Sequence, residues 1–532
     1  MKAERVACDP SSACETLPMP NALSLRREFL VQMGWGVSAL VGAQGASGCR
    51  AANAGASAEA ATFHPDVEIA LRAAPTQAPI LPGAPTEVWA LRGKVIQGDA
   101  RCLEDSASPA LGPTVRVRVG QRLRVVFTND IPQETILHWH GLRVPEGADG
   151  HPRFAIEQGR QYIYEFVVKG PAGTYWYHAH PDMRTGEQVY RGMAGLFIVS
   201  DAHEASLSLP TGAFDAGLVI QDRLFDASNQ LRYLVSPMDR MQGLLGDRIL
   251  VNGTAEPTMR VAAAPYRLRV LNASNSRIYR LAWAHGSPLT VLGTDGGLLE
   301  APLQKSYVML APAERVELWA DFGRFPLGFE TALVSLAFDG MTQAGPMGRS
   351  GVAQGAALKI LKIKVDRSSS ERSRLPERLT AIGRHRLKDA VNSAAPRRIV
   401  PTMQHMGFAI NGRTFEMNAV AADEHVKLGT LEAWEFDNSA APGAAGRMGM
   451  MGMGPMPHPF HVHCGQFQVL RREGVTHTGY VDEGWKDTLL VMPGEKATML
   501  MRFLDYPGIY LYHCHNLEHE DGGMMRNFAI DA

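Results

Sequence analysis

Tyr506-Pro507-Gly508-Ile509-Tyr510-Leu511-Tyr512-His513-Cys514-His515 decides the fold, because the chain contains a second copy of it. Pro171-Ala172-Gly173-Thr174-Tyr175-Trp176-Tyr177-His178-Ala179-His180 lines up with it residue for residue. Each copy lies downstream of another His-x-His: His138-Trp139-His140-Gly141 in the first case, His461-Val462-His463-Cys464 in the second. An internal repeat of this kind predicts two copies of one domain, one in the first third of the chain and one in the last. Around the copies, strand signals dominate. Val115-Arg116-Val117-Arg118-Val119 alternates with period 2, Gly120-Gln121 makes a turn, and Leu123-Arg124-Val125-Val126-Phe127 continues. Similar short runs recur at Tyr162–Val168, Tyr266–Leu271, Tyr307–Leu310, Val316–Leu318 and Ala433–Phe436, while long amphipathic helices are scarce. The pattern predicts an all-β protein of packed sandwiches.

The expected domains are 75–202, 205–365 and 401–532, with a Ser- and Arg-rich linker over 366–400. The middle domain has strands but no His-x-His pairs, so it is expected to carry no metal ligands. Length alone, 532 residues, suggests about three to four domains. Lys+Arg 53 against Asp+Glu 54 leaves a net charge of -1, which gives no basis for nucleic acid or an anionic membrane as partner. Six cysteines are too few for a disulfide framework at this size.

Residues 1–50 read as an export address. Arg26-Arg27-Glu28-Phe29-Leu30 precedes a short apolar run, Val31 to Val41, and a stretch of small residues. Paired arginines before Phe-Leu resemble a twin-arginine signal, which implies the twin-arginine export machinery as a partner and a periplasmic or envelope location. Ala46-Ser47-Gly48-Cys49 also resembles a lipoprotein cleavage box, which makes Cys49 a candidate lipid anchor.

Ten of the 18 histidines fall in four short motifs. These are His138-x-His140, His178-x-His180, His458-x-x-His461-x-His463 and His513-Cys514-His515-x-x-x-His519. On a strand, residues i and i+2 share a face, so each His-x-His offers two imidazoles side by side. Imidazole suits several metals and does not choose among them. Cys514 chooses. Alternation puts its thiolate on one face of the strand and His513 and His515 on the other. Two histidines, a cysteine and a weak axial methionine form a blue-copper set. Cys514, His519 and Met524 supply three of these ligands and His458 the fourth. The remaining eight histidines come from both repeat domains, so a shared site must lie at their interface. They suffice for three coppers, two with three ligands and one with two, leaving open positions for oxygen. A closed four-ligand zinc site explains neither the count nor the methionine.

These four motifs resemble the multicopper oxidases, laccase-like enzymes of three cupredoxin-like Greek-key β-sandwich domains. The nearest resemblance is to bacterial periplasmic cuprous oxidases of the copper-efflux type. His513 through Met525 carries it, together with His138-Trp139-His140-Gly141-Leu142 and Gly484-Trp485-Lys486-Asp487-Thr488. The resemblance implies four copper ions. Type 1 copper falls to His458, Cys514, His519 and Met524; type 2 to His138 and His461; the type 3 pair to His140, His178, His180, His463, His513 and His515. It implies a reaction in which single electrons enter at type 1 copper and O2 is reduced to water at the other three. Asp149 and Glu520 match carboxylates that the family uses near that cluster, and a carboxylate there can relay protons.

The reductant is less constrained. Met448, Met450, Met451, Met453 and Met456 crowd the run just before His458. Thioethers are soft and select Cu(I), so a Cu(I)-collecting loop is one reading. A lid over a phenol or aromatic-amine pocket is another. Relatives carry an acidic residue where Gly454 stands, four positions before His458. The expected activity is therefore cuprous oxidase, with laccase as the alternative enzyme and a copper-sequestering envelope protein as the alternative of another class. A single chain is expected to suffice.

Overall fold

The computed structural model describes residues 63–340, 351–404, 407–439 and 456–532. Strand segments with alternating burial pair into sheets that stack as three sandwiches, each with its own apolar core. In the first sandwich, one sheet orders Thr86–Gln97, Val67–Ala78, Arg122–Asn129 and Gln161–Val167. The other orders Leu103–Glu104, Thr114–Arg118, Ala194–Ser200, then β2 (Gly173–Ala179) beside β1 (Leu137–His140) at the edge. The two strands flanking Gly120 do not pair with each other. Gly120, at φ 89°, carries the chain across from one sheet to the other. The sandwich begins at Val67, ahead of the expected start at 75, since Val67, Ile69 and Leu71 already point into the core.

The middle sandwich packs a seven-stranded sheet on a five-stranded one around Leu268, Leu318, Tyr279 and Leu333. None of the clustered histidines lies in it. The linker segment 366–400 is anchored to the sandwiches on either side of it. Leu379 sits in the middle core, and Arg397–Ile399 pairs in parallel with Trp434–Phe436 of the last sandwich.

In the last sandwich, one sheet orders His425–Lys427, Met525–Asp531, β4 (Gly508–Cys514), β3 (His458–Val462) and Thr488–Val491. Its pairings repeat those of the first sandwich. A short strand runs parallel to the last strand of the sandwich (Val115↔Phe197; Val426↔Ile530), and the rest are antiparallel. The register repeats too: His138 faces His178, and His461 faces His513. The repeat read in the sequence is thus a repeat of strand order and of register. Two short helices complete the region, α1 (Thr185–Tyr190) after β2 and α2 (Leu517–Asp521) after β4. Among the described residues no helix is long and apolar enough to cross a membrane.

Candidate metal centre

Two groups of ligand-type side chains meet on opposite faces of β4. On the core side, Cys514 Sγ lies 3.4 Å from His458 Nδ1 and 3.7 Å from His519 Nδ1. His458 reaches this face because it stands three residues before His461 on one strand, and three is an odd step. His519 comes from α2, whose turn returns the chain toward β4. The Cys514 N–H donates to the Met524 carbonyl at 3.0 Å, and the Met524 N–H donates to the His519 carbonyl at 2.9 Å. These bonds tie the Met524 backbone to those of Cys514 and His519, and all four side chains are buried. His519 Nε2 donates to the Met241 carbonyl at 3.2 Å, which leaves its Nδ1 lone pair facing Cys514. Burial pushes the Cys514 thiol up and pulls the His458 imidazole down to about 3. The neutral imidazole is the form that ligates.

On the other face, eight imidazoles converge from the first and last sandwiches. They form two triplets, His140, His178, His515 and His180, His463, His513, with His138 and His461 facing each other beside His140. His138 Nε2 is 3.4 Å from His461 Nε2, His140 Nδ1 is 3.4 Å from His178 Nε2, and His463 Nε2 is 3.2 Å from His513 Nε2. The nitrogens pointing away from the centre are fixed. His138 Nδ1 donates to the Asp149 carbonyl at 2.6 Å, His461 Nδ1 to the Asp487 carbonyl at 2.7 Å, and His178 Nδ1 to the Ala179 carbonyl at 2.9 Å. With the ring protons held outward, the inward nitrogens present lone pairs to one another. His515 is buried with neither ring nitrogen hydrogen-bonded. Facing lone pairs in a buried pocket are satisfied by cations, so the residues fit copper ions. Burial, aided by repulsion among the rings, holds His138, His140, His461, His463 and His515 well below the usual histidine range, and His178 at about 3.

Both expected carboxylates reach this centre. Asp149 is fully buried, and its Oδ2 accepts from His463 Nδ1 at 2.7 Å. Burial pushes its carboxyl well above the usual range. Glu520 Oε2 sits 2.9 Å from His513 Nδ1, and its Oε1 is 3.5 Å from His180 Nε2. Burial opposes ionisation there, but the neighbouring imidazoles outweigh it and hold Glu520 below the usual carboxylate range. Met448, Met450, Met451 and Met453 lie outside the described residues, as do Arg26, Arg27 and Cys49. Met456 is described, and it belongs to the apolar core of the last sandwich rather than to a surface that meets incoming ions. Its carbonyl accepts from Asn438 Nδ2 at 2.9 Å. His64, His151, His203, His285, His385, His425 and His477 stand outside both groups.

The motif reading missed the residues that steady the ligands from outside. Asn275 and Ser276 of the middle sandwich hold Glu518 on α2, by Asn275 Nδ2 at 2.8 Å and by the Ser276 hydroxyl. Trp176 packs its ring 4.2 Å from that of His178. Such contacts join residues far apart in the chain and have no local signature.

Multicopper oxidase family models match residues 107–204 and 390–532. The chain is 32% identical to the multicopper oxidase mco of Staphylococcus haemolyticus, over 79% of this chain and 82% of that one. It is similar to the crystal structure of the McoA multicopper oxidase from Aquifex aeolicus, with a TM-score of 0.75, 32% identity, and coverage of 88% and 97%. A multicopper oxidase from Campylobacter jejuni, described as a metallo-oxidase, gives a TM-score of 0.70 at 26% identity, with coverage of 87% and 91%. Matched across three sandwiches and carrying both clusters of copper-type donors, the chain belongs to the multicopper oxidase family, the copper oxidoreductases that include the laccases.

Proposed function

We propose that this protein is a cuprous oxidase that protects the cell envelope by oxidising Cu(I) with O2. The observation that carries the oxidase reading is the face-to-face placement of the two clusters on β4, with Cys514 covalently next to His513 and His515. When bound, copper supplies one-electron oxidation at the cysteine site and reduction of O2 to water at the histidine cluster. On this reading four coppers are held, the first by His458, Cys514, His519 and Met524. His138 and His461 hold the second, and the two triplets hold one each.

The chain's own residues supply the rest. The Cys514 thiolate and the His513 and His515 imidazoles are joined by peptide bonds, which gives electrons a short covalent route across the strand. Asp149 holds the proton of His463 Nδ1 and so keeps Nε2 free to ligate. Asp149 and Glu520 are both buried beside the imidazoles, and each can take up and release a proton on a carboxylate oxygen inside a closed site. Cu(I) as the donor rests on the run Met448, Met450, Met451, Met453 just before His458, because thioethers prefer Cu(I). The metallo-oxidase description of the Campylobacter relative supports the same choice. The Arg26-Arg27 leader fits delivery to the envelope.

The test is O2 uptake with Cu(I) and with a phenol, in the full protein and in a variant lacking residues 447–455. The deletion stops short of Met456 because that residue is part of the core. Loss of Cu(I) oxidation with phenol turnover retained is expected. Faster phenol turnover on deletion, with Cu(I) oxidation unchanged, makes the run a lid and the protein a laccase. No O2 uptake from any reductant in copper-loaded protein overturns the oxidase reading and favours copper sequestration.

A further inference from the structure

Asp487 belongs to the stretch Gly484–Thr488, yet no role attaches to it from sequence. In the structure it is fully buried, and it stands to the last sandwich as Asp149 stands to the first. The Asp149 carbonyl accepts from His138 of its own sandwich, and its carboxylate accepts from His463 of the other. The Asp487 carbonyl accepts from His461 of its own sandwich at 2.7 Å, and its Oδ1 lies 3.0 Å from His140 Nε2 of the other. The two aspartates thus clamp the interface reciprocally. Each fixes one imidazole from each side.

Asp487 differs from Asp149 in what lies behind it. Arg315, on the middle sandwich, is fully buried and donates to Asp487 from both ends of its guanidinium, at 2.7 Å to Oδ1 and 2.5 Å to Oδ2. The same guanidinium donates to the carbonyls of Thr174, Ala313 and Asp295. A two-pronged pair of this kind fixes a carboxylate in plane as well as in place. Lys486 bonds Asp295 at 3.1 Å and Glu314 at 3.0 Å, which anchors the adjoining backbone to the same sandwich. Room for the carboxylate comes from Gly141, at φ 87°. A Cβ there stands 2.2 Å from Asp487 Oδ2 and 3.2 Å from Arg315 Nη2.

We infer that Asp487, locked by Arg315, is a positioning residue for His140: it holds the ring proton on Nε2 and so aims the Nδ1 lone pair at His178 and the histidine cluster. The middle sandwich, which contributes none of the clustered imidazoles, thereby takes part in building the oxygen-reducing centre. This rests on the histidine cluster holding copper as proposed above.

The test reads copper affinity and spectra rather than turnover. Wild-type protein, Asp487→Leu, and the charge-balanced double variant Asp487→Leu with Arg315→Gln are stripped of copper and retitrated. Bound copper per chain, the electron paramagnetic resonance spectrum and the melting temperature of the copper-free form are followed. Both variants are expected to bind copper at the histidine cluster about 10- to 100-fold more weakly, with the Cys514 site unchanged. The double variant is expected to melt above the single variant in the copper-free form without recovering copper. If it recovers copper as well, Asp487 serves only to neutralise Arg315 and the inference fails. Wild-type protein that takes no copper at the histidines breaks the underlying reading instead. Nitrogen-15 histidine spectra of the copper-free wild type need no variant. His140 is expected to carry its proton on Nε2, whereas His138, His461 and His463 carry theirs on Nδ1, and an Nδ1 proton on His140 overturns the assignment.

Discussion

At the scale of single residues, Cys514 separates this chain from a plain histidine–metal protein. Its thiol is fully buried and pushed up by that burial, so it ionises only when a cation takes the place of the proton. Cys514→Ser should abolish the intense blue absorption and turnover together, while the eight imidazoles on the other face still take up copper. A Cys514→Ser protein that keeps its blue band overturns the ligand assignment. The grouping of the ligand-type side chains was legible before any fold was known, because strand geometry fixes where i and i+2 point. Asp487 and Arg315 were not. Asp487 meets His140 across 347 positions and Arg315 across 172, and no local pattern announces such a meeting.

At the scale of elements, the two His-x-His strand pairs are one design used twice, with one copy lacking half of the ligand-type side chains. Ala179 pairs with Leu137 where Cys514 pairs with Phe460. By the same alignment Thr135 stands where His458 stands, and Arg184 where His519 stands. Ala179→Cys is therefore expected to give a buried free thiol and no second blue band, which visible spectra of the copper-loaded variant check. A new band there would mean that the thiol alone recruits copper. The sandwich architecture was legible from period-2 runs and from the repeat. The corner at Gly120 was not, because two alternating runs around a turn read the same whether they pair or cross between sheets. The start at Val67 escapes notice for a different reason. Val67, Ile69 and Leu71 alternate as clearly as the later strands, but no ligand motif drew the boundary outward to them.

At the scale of the whole molecule, the copper-free protein holds a dense group of neutral imidazoles. Burial lowers His178 to about 3, His180 to about 4 and His458 to about 3, whereas the unfolded chain titrates near 6.5. Their contribution to stability is intact above about pH 6.5 and is lost as the pH falls toward those lower values, because protons then bind the unfolded chain first. Each such group contributes a slope of up to about 1.4 kcal/mol per pH unit in that window. Between pH 7 and 5, calorimetry should show the melting temperature of the copper-free protein falling as the pH drops, and a flat profile would mean that the rings are not held neutral by burial.

The alternation along β4 has an engineering consequence. On the proposed oxidase reading, a strand that shows sulfur to one side and imidazoles to the other would work as a cable one peptide long, joining an input port to an output port. Its length is set by bond geometry, so it is indifferent to what is plugged in at the input. On that reading the surroundings of His458 could be redrawn for a metal ion, a phenol or an electrode without rewiring the histidine side, which would make the donor an interchangeable fitting on a fixed circuit.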